Sequence, residues 1–264
     1  MLFEREEEAM VFVHGFLGFT VIPLPGWPIR YFRHVSECLS ERGRDPLFPA
    51  LQPAGDIKSR AASLAIFLDR LQVPKIHLVG HSMGGLDSRY VAAMYDPGRR
   101  VRSVVTLGTP HHGTPVADWF FNTRGPLQWV GRHWLRAALR DLTPAACKAF
   151  NASVADRPDV RYVSVAGVRP PAELPAILRP WGRLLQRCAG DNDGLVPASS
   201  AHWGERGGTV RSDHLELVGW SLSRNRDELG RPFDDRALYL RILDLLQEDR
   251  SDGYPANNPP GTLA

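Results

Sequence analysis

Ile76-His77-Leu78-Val79-Gly80-His81-Ser82-Met83-Gly84-Gly85-Leu86-Asp87 is the stretch whose reading decides the fold. An apolar run ends in a G-x-S-x-G pentapeptide, Gly80 to Gly84, and a helical pattern follows at once. Strand, sharp turn and helix in that order are the context in which such a serine projects its Oγ clear of a sheet edge. The positive end of the next helix then lies beside it. A serine between glycines is in most sequences an ordinary turn. The strand before and the helix after make this one a candidate nucleophile.

Outward from that stretch the chain alternates. Upstream, residues 9–13 are a short apolar strand running into His14-Gly15-Phe16-Leu17-Gly18, where glycines permit a tight turn with N–H groups facing inward. Residues 27–43 read as a helix, with Tyr31, Phe32, Val35, Cys38 and Leu39 at helical spacing and Gly43 placed to end it. Residues 46–51 read as a proline-punctuated strand. Asp56 is placed to cap a helix whose buried face is Ala61, Leu64, Ala65, Leu68 and Leu71, ended by Pro74. Strand 75–80 then delivers Ser82, and 83–94 is the helix behind it. Residues 101–107 are a β-branched run suited to a strand buried on both faces, opening into Gly108-Thr109-Pro110-His111-His112-Gly113-Thr114. This order implies an α/β fold with a mostly parallel central sheet flanked by helices.

The alternation then breaks. Residues 115–158 contain no clear strand but carry Trp119, Phe120, Phe121, Trp129, Val130, Trp134 and Leu135 among arginines. An aromatic stripe of this kind commonly belongs to a core; inserted after a sheet strand, it reads as a helical lid or cap. Residues 161–165 resume as a strand, and 168–189 form a second, proline-rich excursion. Beyond them lie the turn Gly190-Asp191-Asn192-Asp193-Gly194-Leu195-Val196-Pro197, a strand at 208–211, Ser212-Asp213-His214-Leu215, and an amphipathic helix at 237–247. The expectation is a single domain over residues 1–250, with 251–264 a disordered tail.

The 264 residues are 43% hydrophobic and 23% charged with a formal charge of +3, enough for one large domain with a buried core. No basic block interleaved with aromatics occurs, which argues against a nucleic-acid partner. No run approaches the length of a transmembrane span. The acidic start, Glu4 to Glu8, is unlike an export signal. A soluble protein is expected, cytoplasmic as written or secreted if a signal has been removed. Cys38, Cys147 and Cys188 are scattered, which argues against a disulfide framework and against a zinc site, with one bridge left open. Oligomeric state is not written in the sequence.

A serine hydroxyl needs a general base, and the base needs a carboxylate to hold its tautomer. On this strand–turn–helix frame the order along the chain is serine, acid, histidine. Ser82, Asp193 and His214 supply it, the last two on loops after candidate strands. His81 is locked into the turn beside the serine and His77 lies in the strand. His111, His112 and His202 sit on loops near the same edge but precede or poorly follow the acid. Asp191 competes with Asp193 within one turn, and Asp193 is favoured because Gly194 and an apolar run anchor it. Asp213, adjacent to His214, is poorly placed to orient it. The oxyanion of an acyl-transfer intermediate needs two donors, for which the backbone N–H groups of Met83 and Phe16 are the candidates.

Together, His14-Gly15-Phe16, Gly80 to Gly85, Leu107-Gly108-Thr109-Pro110-His111-His112-Gly113, Asn192-Asp193-Gly194-Leu195-Val196 and Asp213-His214-Leu215 resemble the bacterial true lipases, the triacylglycerol lipases of the Pseudomonas, Burkholderia and Proteus type. The resemblance runs from Val11 to about Trp220, with the five motifs in the family's order. It implies an α/β-hydrolase fold with a helical lid and carboxylic-ester hydrolysis. The aromatic content of the insertion points to lipidic acyl chains, and the expected partner is an ester or lipid substrate at a lipid–water interface. The roles the resemblance gives Ser82, Asp193 and His214 agree with those read from the residues. Leu17, Trp119, Phe120, Trp129 and Trp134 are the candidate substrate contacts. The alternatives on the same triad are a short-chain carboxylesterase, a thioesterase or an acyltransferase; a non-catalytic binding protein is the alternative outside enzymes. No cofactor is required. Some family members carry a structural calcium held partly by an Asp two residues after the histidine and a Gln a few residues on. Here Glu216 stands at the first place and Trp220 near the second, and no metal ligand is assigned.

Overall fold

The computed structural model describes residues 8–22, 29–122, 125, 129, 135–222 and 233–247. Trp27, Trp134 and the tail 251–264 lie outside them. Six parallel strands form the sheet: β1 (Glu8–Val13), β4 (Pro46–Leu47), β5 (Lys75–His81), β6 (Val101–Leu107), β7 (Arg161–Gly167) and β8 (Glu205–Val210), in the order β4-β1-β5-β6-β7-β8. At the centre Val11 stands opposite Leu78 and Leu78 opposite Val104, and the β5–β6 register shifts once, between Ile76 and His77. The chain leaves β1 toward β4 and then crosses back to β5 on the other side. The sheet therefore changes direction of growth at β1, and crevices at such points, outside the carboxyl ends of strands, are where open α/β sheets bind ligands.

Successive residues of the inner strands serve opposite faces. Met10, Phe12, Val79 and Val105 pack with α1 (Val35–Ser40) and α9 (Asp235–Gln247), whereas Val11, Val13, Leu78 and Val104 pack with α2 (Ile57–Asp69) and α3 (Met83–Met94). Both faces are covered, which is why β5 and β6 read as near-continuous apolar runs. The Asp56 carboxylate caps α2 as expected, accepting the Ser59 N–H at 2.8 Å.

Two expectations fail for tertiary reasons. Of the helix expected over 27–43, the described residues form only Val35–Ser40. Ile29–Arg30 instead forms β3, antiparallel to β2 (Val21–Ile22). Tyr31 N–H donates to the Thr20 carbonyl and Arg33 N–H to Val218, and His34 adopts a left-handed φ of 56° that separates this segment from α1. These long-range bonds outweigh the helical spacing. The strand expected over 46–51 shrinks to Pro46–Leu47, because Pro49 offers no N–H to a ladder.

Above the carboxyl edge, the described residues of 115–158 include α4 (Pro115–Asn122), α5 (Arg136–Asp141) and α6 (Pro144–Ser153), and the second excursion contributes α7 (Arg179–Cys188). Short α8 (Ala198–Ala201) and a 3₁₀ turn, Glu216–Val218, complete the described elements. Cys38, Cys147 and Cys188 are all free, which closes the possibility of one bridge.

Candidate active site

Ser82 is set at the tip of β5 in a conformation that L-residues rarely adopt, φ 54° and ψ −127°. Such a residue persists only when its surroundings over-determine it. Here the Ser82 N–H donates to the Leu107 carbonyl on β6 at 2.9 Å, and α3 begins at the next residue. The flanking glycines are demanded by close approach. A Cβ on Gly80 would stand 2.5 Å from the Gly85 nitrogen, and one on Gly84 would fall on the Val13 carbonyl of β1 and 2.7 Å from that of His14.

Asp193 and His214 come from the turns after β7 and β8. The Asp193 Oδ2 lies 2.7 Å from His214 Nδ1, and the His214 N–H donates to the Asp193 carbonyl at 2.9 Å. Asp193 Oδ1 accepts the N–H groups of Leu195 and Val196 at 2.9 and 2.7 Å. The carboxylate is thereby aimed, and its contact with Nδ1 selects the tautomer that leaves His214 Nε2 as an acceptor. Asn192 stiffens the same turn, its Oδ1 accepting the Gly194 N–H and its Nδ2 donating to the Gly190 carbonyl, both at 2.9 Å. The competing Asp191 is exposed. Asp213 faces inward, its Oδ1 accepting the N–H groups of Leu215 and Glu216, and burial pushes its carboxyl up to about 6.

The remaining histidines have other partners. His77 meets Ser103 Oγ at 2.8 Å within the sheet. His111 is buried between Thr106 and Arg89 and, like the exposed His112 and the half-buried His202, is held below the usual imidazole range by desolvation. His81 is also held well below that range by burial, with its Nε2 at 2.9 Å from the His214 carbonyl and its Nδ1 at 2.7 Å from Tyr31 Oη.

At the end of β1 the N–H groups of Gly15, Leu17 and Gly18 are engaged by Tyr31 Oη, the Pro53 carbonyl and the Gly15 carbonyl. Among the described residues the N–H groups of Phe16 and Met83 meet no acceptor. Two such donors near a candidate nucleophile are what an oxyanion requires.

Ser82 and His214 open onto a cavity of about 500 Å³. Of the expected substrate contacts, Leu17 and Phe120 line it. Trp119 stands one layer behind, its ring 4.8 Å from that of Trp181, which lines the cavity and also stacks on Phe120 at 5.7 Å. Trp129 is 58% exposed and is not part of the lining, and Trp134 lies outside the described residues. Sequence reasoning missed Tyr31, Ile177, Trp181 and Trp220, which line the cavity from segments with no positional relation to Ser82. Only the apolar pattern around Ile177 and Trp181 could have signalled them.

The positions at which the family resemblance would put calcium ligands do not fit that ion. Trp220 offers only an indole N–H, which donates to the Tyr31 carbonyl at 2.8 Å, and Glu216 Oε2 already faces the Arg169 guanidinium at 2.6 Å. Among the described residues no group of three His, Cys, Asp or Glu side chains could hold a metal ion. No described helix is long and apolar enough to cross a membrane.

A family model for the α/β hydrolase fold matches residues 8–155. The chain is 31% identical over 241 residues to triacylglycerol lipase 2 of Saccharomyces cerevisiae, covering 83% of this chain and 73% of the yeast protein. The mature form of Bacillus licheniformis lipase BlEst2 superposes with a TM-score of 0.64 at 26% identity, over 80% of this chain and 86% of that one. A metagenomic carboxyl esterase gives 0.77 at 23% identity, over 92% and 76%, a likeness of fold. With the strand–turn–helix at Ser82 and the parallel sheet beneath it, these matches place the chain in the α/β-hydrolase superfamily, among its lipases, as a serine hydrolase.

Proposed function

We propose that the protein hydrolyses lipidic acyl esters, triacylglycerols among them, with Ser82 as nucleophile, His214 as general base and acid, and Asp193 as its orienting carboxylate. The cavity carries this reading: Ser82 and His214 open onto about 500 Å³ walled almost wholly by apolar side chains, a space suited to a hydrocarbon chain. Ser82 Oγ attacks the ester carbonyl carbon while His214 Nε2 takes the hydroxyl proton. The tetrahedral oxyanion is held by the N–H groups of Phe16 and Met83. Collapse breaks the bond to the alcohol, which leaves with the proton from His214. Water then gives a proton to His214, attacks the acyl-Ser82 carbonyl, and releases the carboxylic acid as Ser82 is regenerated.

The cavity mouth supports use at a lipid surface. Leu17, Ile177 and Leu222 line the cavity yet are 54%, 67% and 57% exposed, an apolar rim at the entrance. The cap helices α4 and α7 meet over this space through Trp119, Phe120 and Trp181 and would act as its lid. A soluble enzyme working at the lipid–water boundary accords with this rim and with the absence of a membrane-crossing helix among the described residues.

A fluorophosphonate probe is expected to label the wild type and leave Ser82→Ala unlabelled. Rates on p-nitrophenyl esters from acetate to palmitate are expected to peak at medium or long chains, with emulsified triglyceride hydrolysed. A maximum at acetate with an inert emulsion would make the protein a short-chain esterase, and equal labelling of Ser82→Ala would remove the nucleophile.

A further inference from the structure

We propose that Arg169 is a built-in cation that clamps the acid and base turns together, and that the protein consequently needs no divalent metal for activity. The inference rests on the reading of Asp193 and His214 as acid and base. Arg169 follows β7 and is 4% exposed. Its backbone N–H donates at 2.9 Å to the carbonyl of Asn192, the residue before Asp193. Its guanidinium Nη2 donates to the Arg211 carbonyl at 3.1 Å and to Glu216 Oε2 at 2.6 Å. One residue therefore holds the acid turn by its main chain and grips the base turn on both sides of His214, three residues before it and two after. The same Glu216 oxygen accepts the Asp213 N–H at 2.9 Å, so the guanidinium pulls on the backbone immediately preceding His214. Nη1 lies 3.3 Å from Glu173 Oε2, which ties the clamp to the start of the second excursion.

A divalent ion stitches loops by gathering their oxygens; a guanidinium does so with N–H donors in a fixed fork and a charge that it keeps at all working pH values. Being covalently attached, it is not lost to a chelator. A cation approaching Glu216 Oε2 would have to displace it. Arg169 touches no reacting atom in this scheme, so it is a positioning residue: its effect should appear in how often His214 is correctly aimed, and hence in kcat.

The test has three arms, each on the full chain with p-nitrophenyl butyrate and well below the melting temperature of the protein used. Wild type treated with EDTA is expected to keep its kcat and its Tm, and added calcium to change neither; loss on chelation with recovery on calcium would overturn the proposal without any variant. Arg169→Gln is expected to lose about tenfold or more in kcat, the scale on which a displaced catalytic group acts, with KM little changed. Guanidinium ion at tens of millimolar should restore part of the loss where sodium at equal ionic strength does not. A folded Arg169→Gln with wild-type kcat, or equal rescue by sodium, would overturn the clamp. If Arg169→Gln does not fold, Arg169→Lys decides: it keeps the charge without the fork and is expected to fall between wild type and inactive, whereas wild-type kcat overturns the proposal. Failure of the triad reading is distinguishable, because it would show first as fluorophosphonate labelling of Ser82→Ala.

Discussion

At the scale of single residues, the side chain beside the nucleophile is as instructive as the nucleophile. The His81 imidazole faces the His214 carbonyl through Nε2, which must therefore carry the proton; its Nδ1 is left to accept from Tyr31 Oη. Tyr31 in turn accepts the Gly15 N–H at 3.1 Å. The result is one line of hydrogen bonds, from the loop carrying Phe16, through Tyr31 and His81, to the backbone of His214. Gly15, His81 and His214 are buried and Tyr31 is half-buried at the cavity wall; desolvation pushes the Tyr31 phenol up to about 12 and holds the His81 imidazole well below its usual range, so the line stays in one protonation state across neutral pH. Tyr31→Phe keeps the ring and removes the joint, leaving the Gly15 N–H and His81 Nδ1 without partners. That loss is expected to cost about 1–3 kcal/mol of stability and, by loosening both turns, about tenfold in kcat. Urea unfolding and ester hydrolysis would read the two effects; an unchanged kcat would show that the oxyanion loop and His214 are set independently of Tyr31.

At the scale of elements, the unit that organises the site is β5, the Ser82 turn and α3, and it was legible because every level of the sequence agreed on it. The apolar run ends where the glycines begin, and α3 and β6 have the expected bounds, Met83–Met94 and Val101–Leu107. The order of Ser82, Asp193 and His214 was equally readable, since each stands in a loop after a strand. What the sequence hid are contacts between segments with no shared period. The spacing puts Tyr31 on a helical face, yet its backbone N–H is drawn to the Thr20 carbonyl beside the β2–β3 hairpin. Trp181 and Ile177 reach the cavity only because α7 folds back against α4, and Arg169 finds its partner 47 positions downstream. The same unit yields a stability prediction. Gly84 packs α3 against the carbonyls of Val13 and His14, so Gly84→Ala must separate helix from strand. Overpacking of this kind costs about 1–3 kcal/mol. The urea midpoint should fall and kcat with it, because those carbonyls lead directly into the Phe16 loop. A midpoint equal to wild type would mean that helix and strand can part freely.

At the scale of the molecule, the loops that form the site all leave the carboxyl edge of one sheet, and the polar groups under them are held by burial as much as by partners. His14 illustrates the consequence. Its Nδ1 donates to the Gly15 carbonyl at 3.0 Å and its Nε2 accepts the Leu51 N–H at 3.1 Å, so the ring is built in as the neutral form. Beneath it, Arg60 donates to the His14 carbonyl at 2.6 Å while pairing with Asp87. Desolvation first, and then the Arg60 charge, lower the His14 imidazole from 6.5 to about 4. Between those values the unfolded chain binds a proton that the native protein refuses. Stability from this group is thus fully present above pH 6.5 and is lost as pH falls toward 4. Asp213 acts with the opposite sign: burial raises it from 3.8 to about 6, so the native state holds its proton longer and stability falls as pH rises through that window. Because the two overlap, the whole-protein profile blurs both, and the His14 contribution has to be read as a difference. His14→Gln removes the titration and leaves the Asp213 contribution in place. Between pH 6.5 and 4, the wild-type unfolding free energy should drop relative to the variant by about 1.4 kcal/mol per pH unit, one proton's worth. Parallel denaturation curves for the two proteins across that range would show that His14 titrates in the native state as it does in the unfolded chain.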